Sequence, residues 1–434
     1  MAGRKYLLLG LSGLVVACTG GPRPGPVTPA EIPHLETQAA QQPRNAQIRF
    51  RLAAALMAAG RCDTAIAVAN SGQVLDPTTA LGAMVIGGCQ EKDGRYDLAY
   101  ATYTDFAVRN PQARGVAAVR ALAQLSLRTQ AIQNARFALA RESTLSAQPP
   151  EPSTLAILPV TIAGDSSLQP LSRGLAEMIT SDLAMVRSLR LLERLQIGTL
   201  LDELKLAQSA RTDPATAARV GRLLRAERMV QGVATIRQNG PVQLSAAVVR
   251  GDGGVRSGAQ ANGPFRQLLN LEKQLVLGLA PQLGIQLTDA ERQRILRQGP
   301  KNLAAFLAYS QGLDALDRGD YRAAATAFAA AVRADPSFQA AQQQQQAAAA
   351  ALTVQASPGD VITVVQAVTS VTAPIEPAAV GALTQVTNDV SQVRSDPLSQ
   401  SGTNSLATHP TNESQGVTTV VQATGFLRII FRLP

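Results

Sequence analysis

The chain has 434 residues, 46% of them hydrophobic, which is enough for two or three domains with sizeable cores. Nine Phe, six Tyr and no Trp leave little material for aromatic pockets or base-stacking platforms. The formal charge of +9 is scattered among acids and forms no basic block, so the sequence gives no footprint for nucleic acid.

The opening "MAGRKYLLLGLSGLVVAC" pairs Arg4 and Lys5 with an apolar run from Tyr6 to Ala17. The run is too short to span a bilayer and reads as a signal peptide over residues 1–17. Val15-Val16-Ala17-Cys18 resembles the bacterial lipobox. That resemblance implies cleavage before Cys18, fatty acylation of the cysteine and a mature charge of +9 − 2 = +7. Thr19 in place of Asp after the cysteine resembles the sorting pattern for the outer membrane, with the folded part facing the periplasm. Residues 18–35, rich in Pro and Gly, read as a tether that forms neither helix nor sheet.

Residues 36–147 repeat. Gly60 and Gly94, Ala65 and Ala99, and Asp76-Pro77 and Asn110-Pro111 are each 34 apart, with helical periodicity on both sides of each glycine. The spacing predicts helices over 46–59, 62–75, 79–92 and 96–109, followed by a capping segment over 114–141. It resembles the tetratricopeptide repeat, in which helix hairpins stack and a concave face takes an extended peptide or a partner helix. Cys62 and Cys89 fall in adjacent predicted helices. An oxidising compartment permits a bridge between them, and two buried small hydrophobes is the other reading.

Residues 153–287 change character. "LAILPVTI" (155–162) reads as a strand buried on both faces, and leucines from 168 to 183 recur at helical spacing. "LRLLER" reads as a short strand ending at Glu193-Arg194. Glu193 is then placed to accept from free N–H groups at the start of the next helix. Asp213-Pro214 opens another helix. "RMVQGVATI", "PVQLSAAVV" and "VRSGAQA" read as strands, with turns at Asn239-Gly240 and at 251–254. A helix over 265–283 closes the unit. Glu177 and Asp182 are five apart on one helix and read as surface charges. The words "LAILPV", "GLAEMITSDLA", "LRLLERLQIGTLLDEL" and "DPATAARVGRLLRAERMVQG" together resemble the CsgG-like envelope domain. Members include the curli-secretion channel lipoprotein, flagellar lipoproteins and the N-terminal domain of TolB.

Residues 288–352 carry a further unit of the helical repeat, with Gly312, Gly319, Ala324 and Pro336 in the corresponding places. "QAAQQQQQAAAAAL" reads as an extension that caps the last helix. Residues 353–434 are rich in Ser, Thr, Val and Gln and read as mostly disordered. Within them "GFLRIIFRLP" reads as a strand in search of an edge, in its own sheet or a partner's.

His34 and His409 are the only histidines, and Cys18 is assigned to lipid. No metal set, no nucleophile–base pair and no phosphate loop can be assembled from these, and "GDGG" reads as a turn. The expected fold class is α+β, with helical hairpins flanking a small mixed sheet domain and a disordered tail. The expected function is that of a non-enzymatic, lipid-anchored envelope scaffold with protein partners, no cofactor and possible self-association. It would serve a secretion, surface-appendage or wall-synthesis machine. The competing expectation is a ring-forming secretion channel subunit. A membrane barrel requires alternating strands of about ten residues with aromatic girdles, which these short glycine-rich strands lack.

Overall fold

A computed structural model describes residues 27–205, 212–236 and 241–356, apart from the side chains of residues 256 and 257. The chain starts with α1 (Ile32–Gln41), α2 (Ala46–Ala58), α3 (Cys62–Leu75), α4 (Ala80–Lys92), α5 (Tyr96–Arg109), α6 (Val116–Ala140) and the short α7 (Glu142–Ser146). α1 corrects the expectation of a structureless tether. Pro33 sits in its first turn, where a missing N–H costs nothing, and Ile32 and Leu35 are buried. His34 therefore lies on a helix. The capping segment expected over 114–141 is one 25-residue helix, α6, and the five-residue α7 follows it.

The repeat is explicit in the turns. Gly60 has φ +76° and its N–H donates to the Met57 carbonyl, while the Arg61 N–H donates to that of Leu56. Gly94 (φ +73°) repeats this with Glu91 and Gln90. Gly319 (φ +79°) repeats it again with Leu316, through its own N–H, and with Ala315, through the N–H of Asp320. These paired bonds are the Schellman closure that ends a helix on a left-handed residue. Five residues after each glycine comes a fully buried alanine, Ala65, Ala99 or Ala324. After that helix come Asp76-Pro77, Asn110-Pro111 and Asp335-Pro336. Space is open around Gly94, so its conformation alone sets the requirement. We expect Gly94→Val to cost about 1–3 kcal/mol, because a branched residue is strained at that φ. A urea melt unchanged from the parent's would contradict that register.

After the sheet domain come α12 (Asp289–Arg297), α13 (Leu303–Arg318), α14 (Tyr321–Ala334) and α15 (Gln339–Ala356). α15 corrects the reading of the glutamine-rich stretch as a polar cap. It is a separate helix whose Ala341, Ala347, Ala348, Ala350 and Ala351 are buried. Alanine lets it pack closely against both α14 and α6. Ala350, Ala351 and Val354 share one core with residues of α2, α4 and α6. The two helical segments thus join into one array, and the sheet domain is an insertion between its halves.

That domain holds β1 (Glu151–Ile157), β2 (Thr161–Gly164), α8 (Leu171–Leu183), β3 (Arg190–Leu191), α9 (Arg194–Glu203), α10 (Pro214–Leu224), β4 (Ala226–Ile236), β5 (Val242–Arg250), β6 (Val255–Gly263) and α11 (Leu268–Gln282). The sheet order is β3-β1-β4-β5-β6, with β2 also on β4. β1, β2 and β3 run parallel to their neighbours, and β4, β5 and β6 form antiparallel hairpins. The single strand expected over 155–162 is broken in two. Pro159 has no N–H to give the ladder, and the Val160 N–H turns away to the Ser172 carbonyl at 3.2 Å. α8 and α11 cover one face with a leucine-rich core, while α9 and α10 cover the other. The turn at 251–254 is present, with Gly253 at φ +85°. The Asn239-Gly240 turn, Cys18 and the tail lie outside the described residues.

Candidate functional site: the seam between sheet domain and helical array

The inserted domain meets the array chiefly where α8 packs on α13 and α9 packs on α6. At the first, Gly174 of α8 lies directly against Ser310 and Phe306 of α13, with no room for a Cβ. Small residues at the crossing let the two backbones approach.

Glu193 and Arg194 stand at the centre of this seam. Glu193 is the N-cap of α9 by backbone position, yet its side chain makes no capping bond, contrary to expectation. It accepts instead from the Tyr100 hydroxyl of α5 at 2.9 Å. Burial raises the Glu193 pKa from its ordinary value, against the opposing effect of the Tyr100 bond. The Tyr100 hydroxyl, buried beside Glu193, is raised as well.

Arg194 bridges two acids from two other helices. Its Nε donates to Glu177 of α8 at 3.0 Å and its Nη1 to Asp317 of α13. Asp317 also accepts from Arg173 of α8 at 2.6 Å, and Arg173 reaches Asp314 at 3.4 Å. Arg128 of α6 donates to the Asp317 carbonyl at the end of α13. Burial alone would raise the Asp317 carboxyl, but Arg194 and then Arg173 outweigh it and hold the pKa below the usual range. Arg194, also buried, is raised by Asp317 and Glu177. Glu177 is therefore a member of the seam rather than a free surface charge. Between α6, α9 and the end of α13 lies a cleft of about 310 Å³, with Arg128, Asp202, Glu203, Lys205 and Asp317 in its wall.

A second charged group sits inside the sheet domain and corrects the surface reading of Asp182. Asp182 of α8 is 0% exposed, as is Glu272 of α11. The Lys273 ammonium donates to both Asp182 oxygens, at 2.8 and 2.6 Å. It lies 3.4 Å from the Glu272 carboxylate without a well-aligned hydrogen bond. Burial raises Asp182 to about 6, with Lys273 opposing. Burial and then Asp182 push Glu272 well above its ordinary value.

In the array, Cys62 and Cys89 are joined as a disulfide with Cα atoms 5.3 Å apart, tying the start of α3 to the end of α4. Gly312 lies against the Phe328 ring, so α13 and α14 cross closely there. Every residue of α4 from Ala80 to Gly87 is buried, so this helix presents no open groove for a peptide. Exposed apolar side chains occur instead on the outer faces of α3 and α5, at Val74, Leu75, Leu98 and Val108. Among the described residues no group of three or more His, Cys, Asp or Glu is placed to hold a metal ion.

Family models match two parts of the chain. Residues 156–240 match the curli production assembly/transport component CsgG, and residues 309–360 match the tetratricopeptide repeat. Among curated proteins, none matches the chain. A solved structure titled "Structure of Naa15/Naa10 bound to HypK-THB" is similar at 12% identity and a TM-score of 0.22. The similarity covers 84% of this chain and 39% of that one. The chain carries a CsgG domain at 156–240, inserted in a helical array that includes a tetratricopeptide repeat at 309–360.

Proposed function

We infer that this protein is a non-enzymatic scaffold of the bacterial envelope, fatty-acylated at Cys18 and held at the periplasmic side of the outer membrane. One observation carries the reading. The CsgG domain is riveted through Arg194 into the array, so whatever binds the helices is held at a fixed position relative to that domain. Buried charge spent on a seam between two modules fits a part that positions other molecules. Tetratricopeptide arrays bind protein segments, and the apolar residues exposed on α3 and α5 suit such contacts. The family name of residues 156–240 supports a place in an export or assembly apparatus. The partner is a protein segment, and no cofactor takes part.

Crosslinking in intact envelopes followed by mass spectrometry tests the scaffold, with recurrent crosslinks from α3 or α5 to one partner as the expected outcome. Crosslinks confined to lipid or solvent would count against it. The anchor has its own test. Cys18→Ser is expected to move the protein from the membrane to the soluble fraction of a cell lysate, and continued sedimentation with outer membranes would exclude the acylated cysteine as the tether.

A further inference from the structure

β6 is the edge of the sheet. It pairs with β5 on one side, and among the described residues nothing pairs with its other side. Its register slips once near Gly258 and is regular from Ala259 to Gly263. Ala259 and Ala261 face the core, and Gln260 and Asn262 face out. Free edges in soluble proteins usually carry lysine, proline or an inward charge that discourages further pairing. From Ala259 to Gly263 this edge has none of these.

The sequence holds one segment that the scaffold reading leaves unused. In "GFLRIIFRLP", Leu427, Ile429, Phe431 and Leu433 alternate with Phe426, Arg428, Ile430 and Arg432. With a period of two, one face is wholly apolar and the other carries both arginines. From Ala259 to Gly263, between Arg256 and Pro264, β6 has the same polarity, with an apolar face toward the core and an uncharged polar face outward. Residues 357–425 link Ala356 to this segment, a length that at full extension reaches on the order of 200 Å. Reach is therefore no obstacle.

We propose that residues 426–432 of the same chain add to the free edge of β6 as a further strand. Leu427, Ile429 and Phe431 would extend the apolar face beside Ala259, Ala261 and Gly263, and Arg428 and Ile430 would lie on the outer face beside Gln260 and Asn262, with Arg432 on the same face beyond them. The backbone ladder supplies the affinity and the alternation fixes the face, as in strand addition by peptides.

Hydrogen exchange of the full chain, read by mass spectrometry on peptides covering 255–263, tests this. Ile429→Pro removes a ladder donor in the added strand and leaves the described fold untouched. It is expected to speed exchange of those amides about tenfold or more, with the rest of the sheet unchanged. Light scattering of the same samples is expected to show no change in mass. Equal exchange in parent and variant would remove the segment from the edge. A dimer in the parent that Ile429→Pro dissolves would overturn pairing within one chain in favour of exchange between two copies.

Discussion

Arg194→Ala is expected to cost about 3–5 kcal/mol of stability at neutral pH, the range for removing one partner of a buried charge network. The guanidinium is the group shared by Glu177 and Asp317, whose carboxylates come from different modules. Its loss leaves Glu177 without its cation and Asp317 with Arg173 alone. For a protein of this size the loss amounts to a drop in Tm on the order of 10 °C. Arg194→Lys is expected to fall between parent and alanine, because one ammonium cannot span two carboxylates as a planar fork does. The position of the damage is as informative as its size. Limited proteolysis should find new cleavage near residues 147–150, and exchange should quicken on α8 and α13 before β4 and β5. A uniform loss across the chain would show that the modules unfold as one and that Arg194 is merely a core contact. The network also fixes a sign with pH. The Asp317 carboxyl is held below its unfolded value, so its contribution is complete above about 4 and lost as pH falls through the folded pKa.

Much of this architecture could be read from residue spacing. The 34-residue repeat, its left-handed glycines and the strand–helix order of the inserted domain depend on local chemistry that leaves a pattern in the sequence. Pro159, visible in "LAILPVTI", could have announced the break between β1 and β2, because a residue without an N–H cannot stay in the ladder. The seam had no such signal. Tyr100 and Glu193 are 93 residues apart, and Arg194 and Asp317 are 123 apart. Only the folded chain brings them together, and each alone resembles an ordinary helix-surface residue. Asp182 and Glu272 did leave a trace. Asp182 stands seven residues after Leu175, and Glu272 stands four after Leu268 and three before Leu275. Each therefore lies on its helix's apolar stripe, and attending to the stripe rather than to the gap between Glu177 and Asp182 would have marked them as buried. The packing role of α15 is masked in the sequence for a related reason. Glutamine suggested a solvated cap, whereas the alanines between the glutamines form the packing face.

The buried group around Lys273 leads to the second large effect. Lys273→Ala leaves Asp182 and Glu272 facing each other at 0% exposure with no cation, at an expected cost of about 3–5 kcal/mol near pH 7. Both carboxyls have folded pKa values above their unfolded ones, so their stabilising protons are fully present below the unfolded values and lost as pH rises through the folded ones. For Asp182 that window runs from 3.8 to about 6. Removing Lys273 takes away the charge that opposes the Asp182 shift, so the window should widen upward and the deficit should grow as pH increases. Glu272→Gln keeps the shape of a protonated Glu272 and deletes its ionisation. It is therefore expected to match the parent at low pH and to exceed it at high pH in urea melts taken from pH 4 to 9. Joint replacement of Asp182 by Asn, Glu272 by Gln and Lys273 by Met should recover most of what Lys273→Ala loses, because neutral groups of similar volume need no compensating charge. A Lys273→Ala deficit that stays constant or shrinks from pH 4 to 9 would show that ionisation of Asp182 and Glu272 is not what the lysine offsets.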